Sequence, residues 1–530
     1  MTPPVSRHLR SGSHGLAAVL TVLALALTAC TSAVAEQART AGAPREGGVI
    51  QVGVSSDLVP AAVFSNTSQT GDVLVGSIYD SLIDYPLDSL EPQPALATGW
   101  RLGDRGRSLT LDLRDDVTFH SGRPFTSKDV EFSIRTWADP VWSAQLQRTA
   151  AAITGFDTSQ PHRITLRFEH RLSNVFDLLD MLPMIDSESI DELRAGTAFV
   201  GTGPFRFESW SPGATLTLDR NDDYWGQRPY LDGAQIRIIT DAQAQLSQLR
   251  AGQLDVAVGV NSLDAQSLSS DPRYRVDSWE GSEGQTYLGT NVTNPALADP
   301  TVREAISHAL DRERIMTEVY RGFGEPATLP WPEDSPARDE RVAEQLAYDP
   351  DLARRLVQRY ESKHGELPSL PLTYTSSSPD YAQVAQIVQE DLAAVGIEVE
   401  LDPEEHAQVM TRLIGAEFEG LWILGHSYAH FTPSTLAVSA FPFNGEHNAS
   451  HYSDPRYIAA ADAAWKLTPQ QAARPGAYAD LNRELLRGKF LLEIGILHRQ
   501  TASGAAVGGL DLTKRGELLL GRAYLGGEGD

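Results

Sequence analysis

Alternation of apolar and polar residues marks a series of strands along the chain. Gly47-Gly48-Val49-Ile50-Gln51-Val52-Gly53-Val54 alternates, as do Leu109–Leu113, Arg163–Phe168, Thr215–Leu218, Gln235–Ile239 and Ile397–Leu401. Between some of these the period changes to that of a helix. Lys128–Trp137 carries Val130, Ile134 and Trp137 on one face, and Val302–Tyr320 carries Ala305, Ile306, Ala309 and Leu310. Tyr381–Val395 does the same with Val384, Ile387, Leu392 and Val395. The pattern predicts a mixed α/β chain without internal repeats. Gly201-Thr202-Gly203-Pro204 and Asn291–Pro295 punctuate it where unit boundaries are expected.

One apolar run has neither period. Leu16–Leu27 contains Thr21 as its one polar residue, follows Arg7 and Arg10, and leads into Leu27-Thr28-Ala29-Cys30. A basic start, an apolar stretch and small residues make a secretory signal. The run falls short of the ~20 residues a membrane-spanning helix needs. Cys30 is the single cysteine of 530 residues. Leu-Thr-Ala-Cys resembles a bacterial lipobox, in which the cysteine becomes the new N-terminus and its thiol takes a diacylglycerol. An ordinary cleaved signal beside a chance cysteine is the plainer alternative; the absence of cysteine elsewhere favours the lipid. Residues 1–29 are then a signal peptide and 30–46, small and polar, a tether. The expected location is the extracytoplasmic face of the cell membrane, held by lipid.

Composition narrows the body. Without residues 1–29 about 500 remain, enough for two or three packed units. Beyond Cys30, no cysteine framework or cysteine metal site is possible. The net charge is −26, and losing Arg7 and Arg10 takes it near −28. Nucleic acid, which requires a basic footprint, is excluded as a partner. Charge does not draw such a body to anionic headgroups either.

Several blocks occur in a telling order. Ile78-Tyr79-Asp80-Ser81-Leu82-Ile83 and Pro94-Ala95-Leu96-Ala97-Thr98-Gly99-Trp100 come first. The longest runs Leu113-Arg114-Asp115-Asp116-Val117-Thr118-Phe119-His120-Ser121-Gly122-Arg123-Pro124-Phe125-Thr126-Ser127-Lys128-Asp129-Val130. Gly201–Phe205, Arg220-Asn221-Asp222-Asp223-Tyr224-Trp225, Ala251-Gly252-Gln253-Leu254-Asp255 and Val302–Arg312 follow, then Tyr348-Asp349-Pro350 and Gly396-Ile397-Glu398-Val399. This series resembles the peptide/nickel-type extracellular solute-binding proteins of ABC importers (family 5). Physically the blocks are structural: Gly122 and Pro124 shape a turn, and Thr126 is placed to cap the helix containing Asp129. His120, alone beside Phe119, reads as a structural hydrogen-bonder.

The resemblance implies an α/β, periplasmic-binding-protein-like fold (type II, cluster C), two lobes with a hinge plus an inserted subdomain. Lobe I would take residues 47–77, 200–288 and 496–530, the inserted subdomain 78–199, and lobe II 289–495. Connections near Gly289-Thr290-Asn291 and Gly495 would form the hinge. A monomer would close on a peptide or peptide-like small molecule and present it to a membrane permease, without a cofactor or catalysis.

Local motifs offer competing chemistry. Gly425-His426-Ser427-Tyr428-Ala429 follows the strand-like Leu421–Leu424 and approaches a nucleophile elbow. Ser427 would be the nucleophile of a secreted serine hydrolase, with Asp454 and His498 following it. Against this, Pro433 interrupts the helix an elbow needs, and no upstream His-Gly-Gly run supplies an oxyanion hole. In the resembled family, peptide binders often carry Trp-x-x-Asp-Tyr here, the Asp pairing with the ligand's α-ammonium. Here Ser427 precedes Tyr428, and a hydroxyl lacks the carboxylate's charge. His426 and His430, like His447 and His451, are four apart, a spacing that on a helix can hold a metal or metal chelate. The family's nickel-chelate binders use an Arg in the segment resembling Leu178–Met184, which has none. No bound metal is assigned. Expected ligand contacts are Trp422, His426, Ser427, Tyr428 and His430, with Phe64 and Ser65 on the opposite wall.

Overall fold

The computed structural model describes residues 42–65, 68–142, 144 and 146–526. Cys30, the signal and most of the tether lie outside the described residues.

In chain order, β1 (Val49–Val54) is followed by α1 (Gln69–Ile78), β2 (Ala97–Gly103), β3 (Ser108–Leu113), α2 (Ser127–Ala138), β4 (Ile153–Gln160), β5 (Arg163–Phe168) and α3 (Val175–Met181). Next come β6 (Phe205–Ser211), β7 (Thr215–Arg220), β8 (Gly233–Ile238), β9 (Val256–Val258) and the long β10 (Tyr274–Thr290). Helices α4 (Pro300–Ala309) and α5 (Arg312–Glu318) lead to β11 (Gly324–Pro326), β12 (Leu370–Thr375), α6 (Pro379–Ala393), β13 (Val399–Glu404) and β14 (Leu421–His426). Helices α7 (Pro433–Ser439) and α8 (Pro455–Trp465) precede a second long strand, β15 (Leu491–Gly504), and a hairpin of β16 (Asp511–Leu512) and β17 (Leu518–Leu519).

Two predicted boundaries shift for local reasons. The single helix expected over Val302–Tyr320 is two helices. Leu310 turns out of the helical region, and the Asp311 carboxylate accepts from Arg314 N–H at 3.0 Å to start α5. The strand expected from Ile397 begins at Val399, because Ile397 N–H bonds back to Leu392 and belongs to the turn closing α6. The cap expected at Thr126 is present as a capping box: its N–H and hydroxyl both donate to Asp129 Oδ2, at 2.8 and 2.9 Å.

Two sheets carry the molecule. The smaller, ordered β2-β3-β5-β4, is antiparallel. Leu109, Leu111, Ile164 and Leu166 turn inward and are fully buried; each side chain of this kind contributes about 2 kcal/mol. The larger sheet runs β13-β12-β14-β10-β15-β9-β1-β8-β7-β6, with β11 also on β15. Strands β10 and β15 belong to both of its halves. The first half of β10 pairs with the end of β15, Tyr274 to Gly504 through Trp279 to Arg499. The second half, from Gly284, pairs with the start of β15 and with β14. Between these stretches residues 280–283 stand opposite His498 alone, so the ladder breaks there. Gly289, where a hinge was expected, lies in regular pairing; Gly495 flanks a smaller bulge at Ile494.

Candidate functional site

The break in β10 organises the site. Gly281 holds a φ of +87°, and a Cβ there would stand 1.9 Å from the Leu87 carbonyl oxygen. The chain therefore passes directly over the Leu87 backbone, which glycine alone permits. The kink aims Ser282 at the terminal hairpin, where its hydroxyl donates to Thr513 O at 2.8 Å. It also turns Glu283 inward, where the carboxylate accepts from Gly281 N–H at 2.7 Å.

Around this kink three parts of the chain meet. From β15, Arg499 donates through Nε to Ser282 O (3.0 Å) and through Nη2 to Ser427 Oγ (2.6 Å). From the hairpin, Lys514 and Arg515 are both 2% exposed. Lys514 Nζ donates to Leu87 O at 2.5 Å, and Arg515 pairs with Glu517 through Nη2. Gly516 lets Arg499 lie against the hairpin turn, since a Cβ there would meet its guanidinium at 2.5 Å. Arg515 is in electrostatic reach of Tyr428, of Asp72 on α1 and of Asp180 on α3. From the loop after β14, His430 packs between Glu283 and Asp334, its Nδ1 3.5 Å from Asp334 Oδ1.

Burial sets the protonation of these groups. It pulls His426 down to about 4, helped by the charge of Arg499, so that ring is neutral. Burial also lowers His430, but the facing carboxylates of Asp334 and Glu283 overcome it and hold this ring above the usual histidine range. Asp180 is driven well above the usual carboxylate range by burial and by the neighbouring Asp84. Asp84 itself is pushed up to about 6, by burial first and then by Asp80.

The sequence-predicted residues separate into two groups. His426 ends β14, its ring 4.7 Å edge-on from Tyr428; Ser427, Tyr428 and His430 follow in the loop, all in or beside the charged cluster. Trp422 is fully buried beneath the sheet, stacked on Phe418 at 4.5 Å. Phe64 is likewise fully buried, in an aromatic cluster with Trp137 (5.2 Å), Trp142 (5.7 Å) and Tyr79 (6.0 Å). Ser65 donates to Ala62 O at 2.6 Å. The contacts of Trp422 and Phe64 are with neighbouring aromatic rings, and the Ser65 hydroxyl joins the turn after Ala62.

The histidine pairs share no helical face. His426 ends a strand, His430 lies in a loop, His447 packs on Phe441, and His451, in the left-handed region, bonds Ala416 O at 2.8 Å. Among the described residues no group of three or more His, Cys, Asp or Glu is placed to hold a metal ion. The hydrolase trio is also dispersed. Ser427 Oγ accepts from Arg499, Asp454 caps α8 and pairs with Arg456, and His498 faces Ser278 and Glu283. No helix follows Ser427 directly, since α7 starts at Pro433.

Arg499, Lys514, Arg515, Glu283 and Asp334 were not among the sequence candidates. Residue spacing could not have found them: more than 200 residues separate Glu283 from the hairpin, and the β10–β15 ladder brings them together. Gly281 and Gly516 were visible as glycines but carried no recognisable motif.

The family model described as "Bacterial extracellular solute-binding proteins, family 5 Middle" matches residues 91–441. A probable di/tripeptide-binding protein 5 of Pseudomonas aeruginosa (strain UCBPP-PA14) is 28% identical over 457 residues, 80% of this chain and 84% of that protein. The oligopeptide-binding protein AppA of Bacillus subtilis (strain 168) is 25% identical over 423 residues, 74% of this chain and 77% of its own. Among solved structures, the ABC transporter-associated periplasmic binding protein DppA from Helicobacter pylori, in complex with peptide STSA, superposes with a TM-score of 0.78. That match has 21% identity and covers 93% of this chain and 100% of the other.

Proposed function

The chain belongs to family 5 of the bacterial extracellular solute-binding proteins, and from that membership we propose that it captures a peptide or peptide-like small molecule between two lobes. As a solute-binding component of an ABC importer it hands its ligand to a membrane permease. The division proposed is lobe I from 47–77, 200–288 and 496–530, an inserted subdomain of 78–199, and lobe II of 289–495.

The observation that carries this reading is the broken ladder. Strands β10 and β15 both cross from one half of the large sheet to the other, and their pairing fails at residues 280–283 opposite His498. A failed ladder on two crossing strands is where a hinge bends at low cost. The charged cluster sits against that break, so bending there alters its contacts. The likeness to relatives named for di-, tri- and oligopeptides points the same way for the ligand class.

Native mass spectrometry of protein purified from its own host tests the ligand class. A co-purified mass in the short-peptide range is expected; a metal adduct in its place would overturn the peptide assignment. The lipid anchor at Cys30 completes the proposal, since tethering beside the permease raises the effective concentration. The variant Cys30→Ala is expected to leave the membrane fraction. Its full retention there would remove the anchor.

A further inference from the structure

The cluster behind the β10 break holds buried polar atoms without hydrogen-bond partners, among them donors of Arg515 and Tyr428. Arg515 is 2% exposed, and while its Nη2 pairs with Glu517, its Nε and Nη1 meet no acceptor. A buried guanidinium N–H left without an acceptor is costly, more so than for a neutral donor. Beside it, the Tyr428 hydroxyl is buried and also without a partner. The neighbouring cations are bound to neutral oxygens: Arg499 to Ser282 O and Ser427 Oγ, Lys514 to Leu87 O. Three of the nearby acids face other groups as well. Glu283 and Asp334 face His430, and Glu517 takes Arg515 Nη2 and the Thr513 hydroxyl (3.2 Å). Asp72 lies within electrostatic reach of both guanidiniums, and Asp180 of Arg515.

We infer that this corner takes a carboxylate of the ligand, its oxygens accepting from Arg515 and Tyr428 with Arg499 alongside. The inference rests on the solute-binding reading and deepens it: the recognised feature is an anion. It also gives Ser427 a role. A hydroxyl at that position accepts from Arg499 and leaves the guanidinium's charge for the ligand, whereas a carboxylate there would neutralise it. Arginine suits this task because its donors stay protonated and fixed in a plane.

The test uses the full chain and a defined tripeptide library in three forms: free acids, C-terminal carboxamides, and N-acetylated free acids. Affinities are read by native mass spectrometry and confirmed by calorimetry. The free acids are expected to bind at least roughly tenfold more tightly than the carboxamides, with N-acetylation changing little. In the paired variant R515Q/E517Q, which removes both charges together, that gap is expected to close to within about threefold. Thermal melting checks that the variant is folded; the acid-to-amide comparison on the unaltered protein needs no variant. Equal binding of acids and carboxamides would overturn the carboxylate inference and leave solute binding standing. Failure of all three forms to bind would overturn the peptide-binding reading, and this inference with it.

Discussion

His430 and His426 lie four residues apart and titrate in opposite senses. Asp334 and Glu283 outweigh burial at His430 and favour its cationic form, so its folded-state pKa lies above the unfolded value of ~6.5. Its stabilisation is complete below ~6.5 and fades as pH rises through the folded value. His426 is buried neutral, with a pKa of about 4, and His120 shares that value through burial. Between ~6.5 and 4 the unfolded chain binds protons that these two rings refuse, so stability falls as pH falls across that window. The acid-side loss from these two rings is opposed by Asp84 and Asp177, which burial raises to about 6 and whose protonation in the fold favours low pH. In His430→Gln the fall in melting temperature above pH ~6.5 is expected to be smaller than in the unaltered protein. An unchanged alkaline slope would mean that the Glu283–His430–Asp334 contact does not stabilise the folded protein. The sequence displayed both histidines, but their opposite environments come from partners far away in the chain.

Single elements were largely legible, since their causes are local. Thr126 and Asp129 are three apart, and that spacing alone specifies the capping box observed. Thr126→Ala is expected to destabilise the protein by about 1 kcal/mol in chemical denaturation; an effect near zero would mean that Asp129 is held by Arg123 alone (2.7 Å). The second start signal at Asp311 was equally local, yet the continuous apolar face from Val302 masked it. The break in β10 is different in kind. Gly281 occupies a left-handed conformation over the Leu87 backbone, a constraint imposed by a segment nearly 200 residues away. Gly281→Ala adds left-handed strain of ~1–2 kcal/mol to a contact with backbone that cannot move aside. A loss above about 2 kcal/mol is expected, with the ligand affinity of the surviving folded fraction reduced as the kink shifts. Full stability in this variant would show that the chain can relax around the methyl group.

At the scale of the molecule, the seam between the inserted subdomain and lobe II decides how closure is balanced on the proposed division. Asp177 on α3 accepts four hydrogen bonds: from Tyr85 OH (3.0 Å), Thr432 N–H (3.0 Å), Thr432 OH (2.9 Å) and Thr435 OH (2.5 Å). Beside it Asn174 donates to Thr435 at 3.0 Å, and Ser173 and Ser434 share a bond of 2.7 Å. Water can replace each of these partners on opening. The net worth of each bond is then only about 1 kcal/mol, but Leu178 and Leu179 are also buried in one apolar core with Leu436 and Val438, which holds α3 against α7. A ligand that bridges the lobes supplies the difference through its preference for the closed state. Removing the shared acceptor should penalise closure specifically, because Thr432 N–H is left unpaired when closed and hydrated when open. Asp177→Ala is therefore expected to enlarge the ligand-free radius of gyration in small-angle scattering and to weaken ligand binding roughly tenfold, about 1.4 kcal/mol. If α3 and α7 instead belong to one rigid body, the variant will lower the melting temperature and leave the radius of gyration unchanged. The two outcomes separate a closing seam from an internal core, a distinction the chain's periodicity could not draw. Ser173, Asn174 and Asp177 read in sequence as ordinary polar residues, and acquire their role only against Thr432 and Thr435, some 250 residues on.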